Sequence, residues 1–478
     1  MKSSIALKSF VWQYLERFSV QGISFVVTIV LARLLSPEEY GIVSIAMILI
    51  SLLEVFVTSG LGNALVQKKS VTTLDYSTVF YFNVALAVLI YIVIYIVAEP
   101  ISSIYNSESL SNILRIMSLR VIIASLNTIQ YAYIQRNMIF KQLFYSSLIG
   151  CGLSAFLGIA GAINGMGVYA LVLQYLSNAL INTVILFFII KWTPTCEYSW
   201  ASLAALFKYG WKLLVSGLLN TSFNEIKGII IGGKYSASDL SYYDKGKQFP
   251  SIVYENINAS ISKVLFPIMS KEQDDKCRIL DMTRVSLSIL SYVLLPFLFL
   301  LYALGDDLIV LLITSKWLPA LPYLRIACLT YSVVIINTVL TNAINSVGRS
   351  DLHLKIEVLN ILLGIIMLLL LMNYGAIYIA LSITISTMIC SACRVYVVFR
   401  LFNYRLLDLW NNYFTSLVLS TVILILCLFI KLYLLDCTMR LIIIPPIFLI
   451  LYWALSRCIN TQSHILFMRI LNKIRRNV

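Results

Sequence analysis

Long apolar runs decide what this chain can become. Val84–Val97, Leu359–Met372 and Val418–Leu435, taken with their flanks, have the length that crosses hydrocarbon as a helix. About 20 apolar residues at ~1.5 Å rise span a bilayer core, and each backbone amide is then paired inside its own segment. Runs of this kind recur throughout. A closed barrel would show short alternating segments instead, and these are absent. The composition agrees, with 60% hydrophobic and 12% charged residues among 478. The expected fold class is all-α, a polytopic integral membrane protein.

About fourteen spans are predicted, near 12–35, 39–65, 75–98, 109–135, 143–163, 168–190, 206–233, 242–269, 279–304, 319–347, 354–372, 376–401, 413–435 and 439–459. Arg17 interrupts the first, and no small-residue cleavage site follows, so a retained helix is expected there. No connection leaves room for a soluble domain. No GxxxxGK[ST] phosphate loop occurs, so the chain carries no visible ATPase of its own. Nine cysteines lie mostly in apolar segments, and the CxxC at Cys390 and Cys393 falls on a predicted membrane helix, which suits small core residues. With two histidines and no acidic cluster, neither a metal site nor a cofactor is expected.

The net charge of +14 invites a nucleic-acid partner, and its distribution argues against one. Lys and Arg gather in alternate connections: Lys68 and Lys69, Arg136 and Lys141, Lys271 with Lys276 and Arg278, Arg349 and Lys355, Arg400 and Arg405. The connections around 99–108, 164–167 and 373–375 have none. That alternation is the positive-inside pattern and predicts both termini in the cytoplasm. The basic tail (Arg469, Lys473, Arg475, Arg476) would also attract anionic headgroups of membrane lipids.

Two spans carry wet stripes. Gln13, Arg17, Gln21, Ser24 and Thr28 recur every three or four residues after Trp12, along one helical face. Lys212, Ser216, Asn220, Asn224 and Lys227 do the same after Trp211. Each stripe ends at a cap-like start: Ser36-Pro37 with Glu39 three after the cap, and Ser236-Ala-Ser-Asp239. Gln135-Arg136 with Lys141 is matched by Gly348-Arg349 with Lys355, and Gly167-Val-Tyr by Gly375-Ala-Ile. The expected organisation is a six-helix bundle over 1–191, a second over 205–401, and an extra helix pair with a basic cytoplasmic tail over 409–478. Parallel repeats of this kind rock about a central site, here a cavity between the halves.

The run Ser59-Gly-Leu-Gly-Asn-Ala-Leu-Val-Gln-Lys-Lys69, followed by Ser77-Thr-Val-Phe-Tyr-Phe-Asn83, resembles polysaccharide flippases of the multidrug/oligosaccharidyl-lipid/polysaccharide exporter superfamily. Segments 31–41, 167–171 and 348–355 resemble further signatures of that group. The resemblance covers essentially the whole chain. It departs at Thr58 and Ser59, where the group leads one to expect an acidic residue. What it implies is a flippase for undecaprenyl-pyrophosphate-linked repeat units of O-antigen, capsule or exopolysaccharide, in the bacterial inner membrane. Polymerase and chain-length proteins of the same pathway are the implied partners.

Such a headgroup needs cations for its pyrophosphate and hydrogen-bonding groups for its hydroxyls, because ionised groups in hydrocarbon cost many kcal/mol. Arg17, Gln21, Lys212, Asn220, Asn224 and Lys227 have that chemistry on the striped faces, and Arg120 and Arg325 extend it. Arg17 and Lys212 have a second reading, snorkelling to the interface. Arg115 and Arg120, five apart, cannot share one helical face. Glu54, deep in the second span, is a candidate for ion coupling or for a structural hydrogen bond. Asp306-Asp307 reads as a solvated turn, Trp192, Trp200, Trp317 and Trp410 as interfacial anchors, and Asn337, Thr341 and Asn345 as a helix–helix ladder. Moving an anion outward gains about 2.3 kcal/mol per charge per 100 mV, so ion coupling is allowed without being required. The alternatives are a cation-coupled drug exporter, which would want an acidic cavity, and a membrane polymerase or glycosyltransferase, which would want a long external or acidic loop.

Overall fold

A computed structural model of the chain describes residues 2–190, 192–402, 405–434, 436–459 and 461–477, with side chains described except in 2–10, 259–264, 406 and 470–477. Eighteen α-helices follow one another, and no strand occurs among the described residues. They are α1 (Lys2–Leu34), α2 (Pro37–Thr58), α3 (Leu61–Gln67), α4 (Thr73–Ile104), α5 (Glu108–Met117), α6 (Leu119–Asn137), α7 (Phe140–Ile163), α8 (Val168–Ile189) and α9 (Trp200–Lys234). After them come α10 (Ala237–Lys271), α11 (Lys276–Ile313), α12 (Leu321–Ser346), α13 (Ser350–Leu371), α14 (Ala376–Phe402), the single turn α15 (Leu406–Leu409), α16 (Thr415–Tyr433), α17 (Cys437–Cys458) and α18 (Gln462–Asn477).

Among the described residues, twelve helical segments are long and apolar enough to cross a membrane. The two further spans expected from the sequence correspond to α9 and α10, both 35 residues long. Their length suffices, but α9 carries the Lys212–Lys227 stripe and α10 carries Asp244, Lys245, Lys247 and Glu255. Polarity, not length, separates these two from the rest.

The helices form two compact units, residues 1–241 and 242–478. The division falls in the first turns of α10, so α9 packs within the first unit although it opens the second half of the sequence. Its start is tied to the start of α4: Ser199 N donates to Thr78 Oγ1 at 3.2 Å, and Ser202 Oγ donates to Asp75. Its later turns lie against α2 through glycines. A Cβ at Gly228 would stand 2.5 Å from Ile48 Cδ1, and one at Gly232 would stand 3.0 Å from Ile45 Cγ1. Lipid offers helices no hydrophobic drive to associate, so close backbone approach through small residues supplies the attraction. In α7, Gly150 and Gly158 meet Asn182 and Gln174 of α8 in the same manner.

The cap expected at Ser36 forms. Glu39 N donates to Ser36 Oγ at 3.3 Å and Ser36 N to Glu39 Oε2 at 2.7 Å, with Pro37 in the first turn. At the counterpart, Asp239 N donates to Ser236 Oγ at 3.0 Å. In the second unit α11 is the central helix, with α12, α16 and α17 packed around it. Ser288 Oγ donates to Asn412 Oδ1 at 2.9 Å, Ser291 Oγ to Asn412 O at 2.7 Å, and Tyr413 OH to Ser332 O at 3.0 Å. These bonds tie the turn that leads into α16 to α11 and α12.

Two sequence expectations are corrected. Asp306 and Asp307 lie within α11 and are ion-paired, so they are no solvated turn. Trp192 packs against Tyr76 and Phe80, and Trp317 is fully buried beside Tyr242. These two are core residues, whereas Trp200 and Trp410 remain exposed as anchors should be. The span expected over 109–135 is present and is built of two helices, α5 and α6, which meet at Ser118 between Arg115 and Arg120.

Candidate functional site

The first unit holds a polar cavity of about 570 Å3, within the ~300–1,000 Å3 of small-ligand sites. Its wall comes from α2, α3, α6 and α8. On α6 the lining residues Arg120, Ala124, Asn127, Tyr131 and Gln135 fall three or four apart, so one face of the helix points inward. Tyr175, Asn178 and Asn182 of α8 repeat the pattern.

Glu54 and Arg120 meet here. Arg120 Nε stands 2.8 Å from Glu54 Oε1, and Arg120 Nη1 points at Met47 Sδ, 3.3 Å away. The guanidinium thus has its counter-ion in place and keeps one edge on the cavity. Arg115 is directed elsewhere: it pairs with Glu99 at 2.8 Å and lies over the Tyr95 ring.

The amides are oriented by their partners. Thr183 Oγ1 donates its proton to Ala179 O at 2.6 Å, so it can only accept from Asn127 Nδ2, also at 2.6 Å. Asn127 Oδ1 is therefore turned away from Thr183 and has no donor, although the residue is 7% exposed. Asn182 Nδ2 donates to Tyr131 OH at 3.3 Å, which leaves its Oδ1 without a donor as well. Asn178 Nδ2 donates to Ser154 Oγ, whose proton goes to Cys151 O. A buried acceptor without a donor costs about 1–3 kcal/mol. The wall therefore favours a guest that brings O–H groups, and water or a glycan does so.

The structure distributes the other sequence candidates. Arg17 is exposed on α1 and Gln21 half-buried, away from this cavity. On α9, Lys212, Asn220 and Asn224 are exposed, and Asn224 Nδ2 donates to Asn220 Oδ1 at 3.2 Å. Lys227 is half-buried with its Nζ 4.8 Å from the Phe223 ring centroid. Arg325 belongs to the second unit and lines a separate crevice. Sequence reading missed Asn63, Asn127, Tyr131, Asn178 and Asn182. The signal was present as polar residues three or four apart, Asn127, Tyr131 and Gln135 on α6 in register with Arg120, and Asn178 and Asn182 on α8, but the second set carries no charge to mark it.

The second unit has further cavities. One, of about 360 Å3, is lined by Asn337, Thr341, His353, Glu357 and Arg394. The Asn337–Asn345 ladder expected to bind helices together instead leaves both amide oxygens without donors. The Arg394 guanidinium there is held by Glu357. Another, about 970 Å3 between α11, α12, α14 and α16, is lined mostly by apolar groups such as Met388, Phe399 and Leu417, with hydroxyls such as Ser332 and Thr384 and no charged side chain among its lining residues.

The fold is similar to that of the lipid II flippase MurJ, solved in an inward closed conformation, with a TM-score of 0.73, 18% identity, and coverage of 94% of this chain and 99% of that one. An inward-facing multidrug resistance MATE family transporter of the MOP superfamily superposes with a TM-score of 0.58 at 11% identity, covering 80% of this chain and 94% of that one. In sequence, the chain is 26% identical over 323 residues to the succinoglycan biosynthesis transport protein ExoT of Rhizobium meliloti, covering 68% of this chain and 65% of that protein. The teichuronic acid biosynthesis protein TuaB of Bacillus subtilis is 29% identical over 316 residues, 63% of this chain and 62% of its own length. The chain thus spans a little under two thirds of the length of these two relatives. A family model covers residues 30–322, from the last turn of the first striped helix into the start of α12, and by that match this multi-pass membrane protein belongs to the polysaccharide biosynthesis protein family.

Proposed function

We propose that the protein is a flippase that carries undecaprenyl-pyrophosphate-linked oligosaccharide units across the bacterial cytoplasmic membrane by alternating access, with both termini in the cytoplasm. One observation carries the reading: α9 keeps Lys212, Ser216, Asn220 and Asn224 exposed along one face for some three turns. Amides and a cation on a membrane helix are costly against acyl chains and inexpensive against water or a polar headgroup. The names of the relatives, which speak of transport in succinoglycan synthesis and of flipping lipid II, support the same substrate class. Arg17, Gln21, Lys212, Asn220, Asn224, Lys227 and Arg120 would serve the pyrophosphate and the sugars. The donor-poor amides near Arg120 would take glycan hydroxyls, and Glu54 would hold Arg120 until an anionic group competes for it. An exporter of cationic drugs is favoured less, because Glu54 already has a counter-ion.

Deletion in the native host tests the reading. Glycan-loaded carrier should accumulate on the cytoplasmic leaflet, and the double variant Arg17→Ala, Lys227→Ala should show the same defect at normal expression. Accumulation of single flipped units outside would mean a polymerase, and wild-type surface polysaccharide in the double variant would remove these two residues from the site.

A further inference from the structure

The second unit carries a charged crevice that the proposed function does not call on. Asp306 near the end of α11, Arg325 near the start of α12, Lys431 in the last turn of α16 and Arg440 in the first turn of α17 line a space of about 570 Å3. All four helices present the ends that lie away from the Lys276 and Arg278 start of α11.

The charges do not cancel. Lys431 Nζ contacts Asp306, stands 2.7 Å from Asp307 Oδ2 and donates to Ala303 O at 2.9 Å. Arg440 Nη1 reaches Asp307 Oδ1 at 3.2 Å, and its Nε donates to Leu434 O at 2.6 Å. Those two cations and two carboxylates form a neutral set. Arg325 is left over. Among the described residues no carboxylate pairs with it; its guanidinium lies over the Tyr302 ring at 5.3 Å, and its buried Nε has no acceptor. A half-buried guanidinium inside a span, without a counter-ion, is a costly arrangement unless an anion arrives from outside the chain.

The rest of the wall says what carries that anion. Ile425, Phe429 and Leu432 of α16 line the same crevice and are 52%, 61% and 76% exposed, so they face acyl chains. A water-soluble anion would gain nothing from them, and a hydrocarbon alone would leave Arg325 unpaired. We propose that the crevice binds the phosphate of an anionic lipid, with Arg325 donating to the phosphate oxygens and the lipid's chain lying along Ile425, Phe429 and Leu432. A glycerophospholipid and an isoprenyl phosphate share this chemistry. The site is separate from the glycan-handling residues and stands whether or not the transport reading does.

The purified full-length protein is offered phosphatidylglycerol, undecaprenyl phosphate, diacylglycerol or sodium pyrophosphate, and retained ligand is read by native mass spectrometry. At least one phosphorylated lipid is expected to be held, and the one held more strongly identifies the source. Arg325→Gln is expected to weaken that retention about tenfold or more, the worth of a charge-assisted hydrogen bond. Equal retention of diacylglycerol, pyrophosphate binding as tightly as the lipids, no retention of either phosphorylated lipid, or an unchanged R325Q overturns the proposal. Since R325Q can be lost to misfolding, Phe429→Trp with Arg325 intact gives a second reading. Brominated phosphatidylglycerol should quench the new tryptophan at lower mole fraction than brominated diacylglycerol, and equal quenching by the two overturns the site.

Discussion

Removing Arg120 alone should cost more than removing Arg120 and Glu54 together. The two groups touch at 2.8 Å, with side chains only 27% and 20% exposed. Two unit charges about 4 Å apart at an effective dielectric of about 20 attract by about 4 kcal/mol, most of it offset by the desolvation of both ions. Breaking a fully buried pair from one side costs about 3–5 kcal/mol, and access from the cavity lowers this to about 2–3 kcal/mol here. Arg120→Gln and Glu54→Gln should each show that loss, while the double variant should fall within about 1 kcal/mol of wild type, a coupling of about 3 kcal/mol or more. The assay is reversible unfolding of the four proteins in one lipid–detergent mixture, with the cycle closed arithmetically. A coupling under about 0.5 kcal/mol would refute the pair as a partly buried, mutually dependent unit.

Other outcomes follow from local geometry. Gly246→Ala places a Cβ 2.6 Å from Tyr323 Cβ and 2.7 Å from Ala320 O, so about 1–3 kcal/mol of stability should be lost, whereas Gly152→Ala, with open space around it, should be neutral or stabilising on the same thermal scan. Ser36→Ala breaks the capping box at the start of α2 and should cost about 1 kcal/mol, read by unfolding and by faster hydrogen exchange at residues 37–40. His464 is buried, with Nδ1 2.9 Å from Tyr292 OH and 3.2 Å from Ser456 Oγ. Burial first, and the nearby Arg457 charge second, hold its pKa below the ordinary histidine value. The undocked helix binds the proton more readily, so docking of α18 is strongest above about pH 6.5 and weakens as pH falls through the lowered value. Hydrogen exchange across 462–469 should therefore rise at pH 5.5 but not at pH 8, and His464→Gln should abolish the difference; a rise on the alkaline side would contradict the sign.

Much of the architecture is readable along the chain because membrane helices depend on local quantities. Apolar length marked the spans, and Ser36, Pro37 and Glu39 marked a helix start that needs only its own first turn. The stripe on α9 was also legible, since 3.6-residue periodicity assigns residues to a face without reference to any neighbour. What each face meets is a different matter. Glu54 and Arg120, 66 residues apart, pair because α2 and α6 pack side by side. Asp307 is neutralised by Lys431 and Arg440 from helices more than a hundred residues away, which no local pattern near 307 announces.

The sequence by itself determined an all-α bundle in a membrane, its helix starts and its polar faces, because desolvated backbone must pair within each span and the spans are set by length and hydropathy. Only the tertiary structure decided that α9 joins the first unit, that Asn127 and Asn182 turn unpaired oxygens toward no donor, and that Arg325 is left without a carboxylate. The physical reason is that helix contacts in lipid are chosen by close packing at residues such as Gly228 and Gly232, and those contacts fix which distant polar groups share a cavity.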